Sequence, residues 1–321
     1  MEKNLLLPKK LNMKILGIGN AIVDVICKVD DNFITQNNLT KSTMKLFFDE
    51  DEFKNLLTNL KIEKTVSGGS VANSIVGLSQ LGDEVGFIGK VSDDEFGSKY
   101  EEGLKKENVK YFYSKKKEEL PTGTCLILVT PDSERTMCTF LGTAGKINEN
   151  DVSSTAIKKS EIIFLEGYLW DEGEPKKAFD KAINNANKVA MSLSDLFCVD
   201  RHKPHFLNLV KNKLDITFAN EQEITSLIEA KDFNEVVNFS KKLNKLVIVT
   251  RGEKGSIAIN GDEIFENDIK TNLKIVDLTG AGDLFAAGFL HGYINKLSIK
   301  ECLEKGTEMS SRVIQQIGAR L

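Results

Sequence analysis

Hydrophobic positions along this chain fall into short, β-branched runs separated by longer stretches of helical period. The runs are Lys14–Gly19, Val85–Val91, Ile162–Leu165, Lys188–Leu193, Leu214–Ala219 and Leu246–Thr250. Nearly unbroken apolar runs suit strands buried on both faces, as in a parallel sheet. Between them, Asp49–Leu60 sets Phe53, Leu56, Leu57 and Leu60 on one helical face, and Ile75, Leu78 and Leu81 repeat at helical spacing after Gly68-Gly69. Asp93 to Glu107, Glu174 to Asn187 and Ser298 to Ile317 also read as helices. The alternation predicts an α/β fold with three αβα layers, a doubly wound and mainly parallel sheet covered by helices on both sides. Two segments break the pattern, with short β-type runs (Val25–Val29, Met44–Phe48, Thr122–Thr130, Thr136–Leu141) around polar turns. They predict a small β lid, built from about 22–48 and 110–141, with Lys115–Glu119 as a solvated hairpin tip. Ser256–Asn260 and Asp262–Glu266 read as a hairpin about Gly261. One domain then spans 13–321, preceded by a loose leader at 1–12, with Met13 available as an alternative start.

One junction concentrates the chemistry. The run Ile275-Val276 enters Thr279-Gly280-Ala281-Gly282, and an apolar helix carrying Phe285, Ala286, Ala287, Phe289 and Leu290 leaves it. A strand–turn–helix junction exposes unpaired N–H groups at the positive end of the helix dipole, and side chains this small let an anion sit on them. Asp283 follows at the same point. A carboxylate there either caps the helix or accepts a proton from an alcohol that attacks a phosphoryl group held alongside. Asn20 and Asp24 lie just past the first strand, where open α/β sheets hold ligands, and a carboxylate there can accept hydrogen bonds from two vicinal hydroxyls. Gly68 and Gly69 let backbone approach a ligand, and Asn73 offers both a donor and an acceptor.

Composition narrows the classes. With 28% charged residues and a net charge of −4, the chain of 321 residues has no footprint for nucleic acid or an anionic membrane. No apolar run approaches the ~20 residues of a membrane span. Five scattered cysteines suit reduced thiols in a cytoplasmic protein. The three histidines make no hydrolytic triad pattern, and no Walker A run occurs. A dinucleotide fingerprint fails twice, because Ile22 follows Gly17-Ile18-Gly19 and Phe285 follows Gly280-Ala281-Gly282 where a third glycine is needed.

The string Asp277-Leu278-Thr279-Gly280-Ala281-Gly282-Asp283 resembles the C-terminal signature of the ribokinase-like (PfkB) carbohydrate and nucleoside kinases. Gly68-Gly69-Ser70-Val71-Ala72-Asn73-Ser74 resembles their N-terminal signature, and the resemblance extends over 13–321. It implies that Asp283 is the catalytic base and that the Gly280, Ala281 and Gly282 amides form the anion hole. It places the acceptor's diol on Asp24, with Asn20, Gly68, Gly69 and Asn73 around it. Asn220-x-x-Glu223 resembles the element that positions the metal–phosphate shell, with Glu223 reaching Mg2+ through water; the plain alternative is a helix cap. Thr250, Gly252 and Gly255 match a loop that touches ATP. Family members often respond to K+, for which no residue here proves a site. Pro121-Thr122-Gly123-Thr124-Cys125 with Arg135 downstream, and Ser192-Leu193-Ser194 with Phe197, resemble adenosine kinases. Arg135 would neutralise phosphoryl charge from the lid, or else be a surface arginine. Phe197 would stack a base from a strand end, with Leu46 and Leu141 as the lid's apolar wall, whereas Trp170 reads as core. The expected activity is transfer of the ATP γ-phosphoryl to a hydroxymethyl group, adenosine giving AMP, with a ribokinase- or fructokinase-type sugar kinase as the second reading. A nucleotide-sensing regulator is disfavoured by the intact Asp283 and a dehydrogenase by the failed fingerprints. Partners are then small molecules, with monomer and dimer both open.

Overall fold

The computed structural model describes residues 13–321 apart from Ser133 and Glu172; the expected leader at 1–12 lies outside the described residues. In chain order the strands are β1 Met13–Ile18, β2 Ile22–Lys28, β3 Met44–Phe47, β4 Ile62–Gly68, β5 Val85–Ile88, β6 Lys110–Tyr111 and β7 Gly123–Val129. They continue with β8 Arg135–Phe140, β9 Ser160–Glu166, β10 Val189–Ser192, β11 Ile216–Asn220, β12 Leu246–Thr250, β13 Ser256–Asn260 and β14 Glu263–Asn267. Nine form one sheet in the order β14-β13-β12-β11-β10-β9-β1-β5-β6, parallel from β12 to β6 and closed at one edge by the antiparallel β13–β14 hairpin.

The period-2 alternation of each strand sends successive side chains to opposite layers. Ile15, Ile162, Phe164, Ile216, Phe218 and Ile248 pack on one side with the helices Ser70–Gln80 and Ala281–Ile294. Leu16, Ile163, Leu165, Met191, Val247 and Val249 pack on the other with the helices Glu174–Asn185, Leu196–Asn212 and Glu221–Ile228. The three αβα layers follow from that division.

The remaining five strands form a second sheet, ordered β3-β8-β7-β2-β4. Its inner face, including Val23, Val25, Leu126, Leu128 and Phe140, joins the main core. Its other face carries Ile22, Cys125, Ile127, Met137 and Leu141. The sequence-based lid differs from this sheet in composition. Lys110–Tyr111 belongs to the large sheet beside β5, and Lys115–Glu119 forms no hairpin, touching β-structure through a single Ser92–Lys116 bridge. β4, which lies outside the expected lid segments, pairs with β2. A short helix, Asp31–Gln36, capped by Asp30, occupies part of the expected β segment.

One further expectation fails, and one helix was not anticipated. Ile275-Val276 is not a strand: Val276 N and Asp277 N both donate to Ile314 O, and the two apolar side chains are 63% and 46% exposed. The segment is taken up by the end of the last helix and joins neither edge of the large sheet, so β-branched composition alone does not make it a strand. The helix Leu196–Asn212 escapes the periodicity because it contains Pro204 and is kinked at His202 (φ −121°, ψ 20°).

The junction of β4 with the helix Ser70–Gln80 is a tight local constraint. Gly69 has φ +101°, and a Cβ there would stand 2.2 Å from Asn20 O. Gly69→Ala should therefore cost at least the roughly 1–3 kcal/mol of a disallowed backbone, measured by denaturant unfolding. A loss within ±0.5 kcal/mol, the range of ordinary surface substitutions, would mean that the turn relaxes freely.

Candidate active site

The C-terminal ends of the parallel strands open into a cleft of about 600 Å3 between the two sheets. On one side stands the N-terminus of the helix Ala281–Ile294. Gly280 caps it in the left-handed region (φ 78°), packed so that any Cβ would lie 2.6 Å from Ala319 Cα. A Cβ at Gly282 would meet no protein atom within 4 Å, so the space over this turn is open to the cleft. Ala281 N donates to Leu278 O at 3.2 Å, so an anion site over this turn rests on the Gly280 and Gly282 amides and the helix dipole.

Asp283, in the first turn, is fixed from the opposite helix. Ser70 Oγ donates to Oδ1 at 2.6 Å, Asn73 Nδ2 donates to Oδ2 at 3.0 Å, and Ser74 Oγ donates to its backbone carbonyl at 2.8 Å. Burial holds its carboxyl above the ordinary value, against the pull of those two side-chain donors and of Arg320. A carboxylate so held can accept a proton from an alcohol beside the anion site.

Asp24 lies on β2, not in a loop past β1 as expected. Strand alternation puts Ile22, Asp24 and Ile26 on one face, and the first two line the cleft. An acid on an apolar face is desolvated, and burial pushes Asp24 up to about 7, with Arg320 pulling down and Asp283 pushing up. Its carboxylate lies against Gly68, where a Cβ would be 2.4 Å from Oδ2. Asn20 does sit past the end of β1, with a buried Oδ1 that has no hydrogen-bond partner.

Sequence reasoning missed Glu166, at the end of β9. It is 1% exposed, yet Oε1 accepts from Asn20 N at 2.9 Å and Oε2 from Val71 N at 2.7 Å. Burial raises it to about 7 despite those amides. It ties the β1 exit to the helix N-terminus below Gly69. An acid ending an otherwise apolar strand was the available signal.

The second sheet supplies an apolar wall of Leu46, Cys125, Ile127, Met137 and Leu141. Phe197, 58% exposed, stands at the rim on the first turn of a helix capped by Asp195, not at a strand end. Trp170 is both core and cleft lining, packed edge-on against His202 with ring centroids 4.5 Å apart.

Asn220 and Glu223 form a capping box. Asn220 Nδ2 and N donate to the two Glu223 oxygens at 2.6 and 3.0 Å, and Glu223 N donates back to Asn220 Oδ1 at 2.8 Å. Both residues and Thr250 line the cleft. Gly252 and Gly255 lie outside its lining; Gly255 has φ 79°, and a Cβ there would meet Asn267 O at 2.1 Å, so its own turn requires glycine. Arg135 is also outside the lining and pairs through Nη1 with Asp277 Oδ2. Among the described residues no three His, Cys, Asp or Glu side chains converge as metal ligands. Glu223, with both carboxylate oxygens accepting from Asn220, would meet a Mg2+ through the ion's own waters.

The polar side chains thus cluster at the strand ends where a doubly wound sheet binds its ligands. Residues 18–321 match the pfkB family carbohydrate kinase model, so the chain belongs to that family and is a phosphotransferase acting on hydroxyl groups. Kinases of this family use ATP, generally with Mg2+. The chain is 36% identical to the adenosine kinase of Sinorhizobium meliloti, with a TM-score of 0.88, covering 97% of this chain and 96% of that one. It is also 36% identical to a probable sugar kinase from Rhizobium etli CFN 42, with a TM-score of 0.86, over 96% of this chain and 95% of the other. A 5-dehydro-2-deoxygluconokinase of Clostridium botulinum (strain Eklund 17B / Type B) is 27% identical over 279 residues, 80% of this chain and 81% of that protein.

Burial of Glu166 has a pH signature. Its folded value of about 7 lies above the ordinary 4.5, so the folded state binds the proton more tightly. The resulting stabilisation is complete below the unfolded value and is lost as pH climbs to the folded one, amounting to roughly 3 kcal/mol over that window. Glu166→Gln cannot titrate, so its unfolding free energy should fall less between pH 4 and 8 than that of the wild type. Parallel pH curves for the two proteins would mean that folding leaves the Glu166 carboxyl at its ordinary value.

Proposed function

We propose that this protein transfers the γ-phosphoryl of ATP to the 5′-hydroxyl of adenosine, giving AMP and ADP. Asp283 takes the hydroxyl proton, the freed oxygen forms its bond to the γ-phosphorus, and the bond from that phosphorus to the ADP oxygen breaks. The Gly280 and Gly282 amides face the charge that develops, and the Ala281 amide joins them on release from Leu278 O. Asp24 receives the ribose diol, with Asn20 and Asn73 beside it. ATP lies along Asn220 and Thr250, and Glu223 reaches the Mg2+ shell through water. The observation that carries adenosine is the apolar wall of Leu46, Ile127, Met137 and Leu141 facing the same cleft as Asp24, with an aromatic rim at Phe197. A flat purine buries such a wall, and base–aromatic stacking contributes about 1–3 kcal/mol. A free sugar is the second reading, favoured by the likeness to two proteins named as sugar kinases.

Asp283→Asn should retain ATP binding, read by calorimetry, while turnover in a coupled ADP-release assay drops by roughly 10²–10⁴, the usual share of a general base. A variant keeping more than about a tenth of wild-type turnover would remove Asp283 from that role.

The acceptor is tested by kcat/KM for adenosine, ribose and fructose in the wild type and in Phe197→Ala. Adenosine should be preferred and should lose about tenfold to a hundredfold in the variant, with residual sugar turnover unchanged. A wild type that prefers a free sugar, or a variant indifferent to the missing ring, would leave the kinase standing without its nucleoside.

A further inference from the structure

Three groups of the site share one cation, and it comes from a distant part of the sequence. Arg320 Nε donates to Asn73 Oδ1 at 2.9 Å and Nη1 donates to Ser67 Oγ at 3.1 Å, across sequence separations of 247 and 253. The guanidinium fork therefore straddles the Gly68-Gly69 turn, gripping β4 on one side and the following helix on the other. Its third nitrogen, Nη2, is sealed from solvent with no hydrogen-bond partner. Arginine can only donate, so Asn73 must turn its carbonyl oxygen to Arg320. That leaves Asn73 Nδ2 to donate to Asp283 Oδ2 at 3.0 Å. Without the arginine the amide could flip and present an acceptor to an acceptor.

The charge matters as well as the fork. Asp24 from β2, Asp283 from the helix Ala281–Ile294, and Tyr100 and Glu107 from the helix Glu95–Lys106 and its C-cap all face Arg320. Asp24 also faces Asp283 and Cys125, and Asp283 faces Glu166. Two buried carboxylates repel one another in a poorly solvated cleft, and Arg320 is the cation that draws both down.

We propose that Arg320 is a positioning residue of the phosphoryl-transfer site, orienting Asn73 toward Asp283 and offsetting the charge that Asp24 and Asp283 carry together. The role rests on the assignment of Asp283 as base and Asp24 as diol ligand. Arg320→Gln removes both fork and charge; Arg320→Lys keeps the charge and loses the fork.

The direct measurement is 13Cγ NMR of aspartate-labelled, ligand-free protein, with the Asp24 resonance assigned by its absence in Asp24→Asn. Its titration midpoint should rise by about one pH unit or more in Arg320→Gln and stay near the wild-type position in Arg320→Lys. In steady-state assays with the better acceptor of adenosine and ribose, the acid limb of kcat/KM should move up with it in Arg320→Gln. Arg320→Lys should keep the limb but lose about tenfold or more in kcat, the scale of one misplaced catalytic contact. An unmoved Asp24 midpoint in a folded Arg320→Gln overturns the charge role. Should that variant fail to fold, Arg320→Lys decides alone: an unchanged kcat and an unchanged Asn73 side-chain amide resonance overturn the positioning role. A loss equal at every pH and matched by a fall in Tm reduces Arg320 to a structural residue. The base assignment fails separately, through turnover retained by Asp283→Asn, and that result leaves the NMR titration of Asp24 unaffected.

Discussion

Charge buried at the mouth of the sheet is the constraint on which the rest of this structure depends. Asp24, Glu166 and Asp283 all stand in one cleft, and burial raises each of them. An ionised carboxylate withdrawn from water is tolerated only where fixed donors replace the water. The N-terminus of the helix Ser70–Gln80 supplies most of them: Val71 N to Glu166, Ser70 Oγ and Asn73 Nδ2 to Asp283. The positive end of that helix dipole adds to the same effect. Bringing it so close to β1 requires a chain reversal with no side chain at Gly69, under the carbonyl of Asn20. The glycine turn, the helix orientation and the carboxylate cluster are therefore one solution to one electrostatic problem.

What the sequence discloses follows from how local each cause is. The parallel strands, the hairpin at Gly261 and the helix starts depend on residues a few positions apart, and periodicity finds them. Asp283, Gly280 and the Gly68-Gly69 turn are legible because their small and acidic residues are adjacent in the chain. Glu166 and Arg320 are not, since their partners lie 146 and 247 residues away and neither belongs to a local pattern. Ile275-Val276 fails for the opposite reason: its local pattern says strand, but its backbone is taken up by Ile314 O at the end of the last helix, 38 residues on. Asp24 is an intermediate case. Its residue type was readable, whereas its place on an apolar strand face, the cause of its raised value, needed the register of β2 against β7.

The signature residues around Gly69 and Asp283 lie on the polar side of the cleft, and they would serve a nucleoside or a sugar equally. Proteins named for either kind of acceptor share 36% identity with this chain. Discrimination must then come from the face of the second sheet that looks into the cleft. β2 and β7 run parallel there, with Ile22 opposite Gly123 and Asp24 opposite Cys125, so Asp24 and the Cys125–Ile127 part of the apolar wall lie on neighbouring strands. Acceptor choice in such a layout is a property of side-chain volume along β3, β7 and β8, and it can change without disturbing Asp24.

That same sheet is tied to the phosphate side through Arg135. Its guanidinium pairs with Asp277, which also accepts from Thr279 N, Thr279 Oγ1 and Gly318 N. Both members of the pair are largely buried, so breaking it strands a charge and is costly unless another anion takes the place of Asp277. A phosphoryl group in the neighbouring turn is an anion of the required kind. Arg135 can therefore act on phosphoryl charge only by exchanging partners, and any such exchange releases β8 from the turn that precedes Asp283.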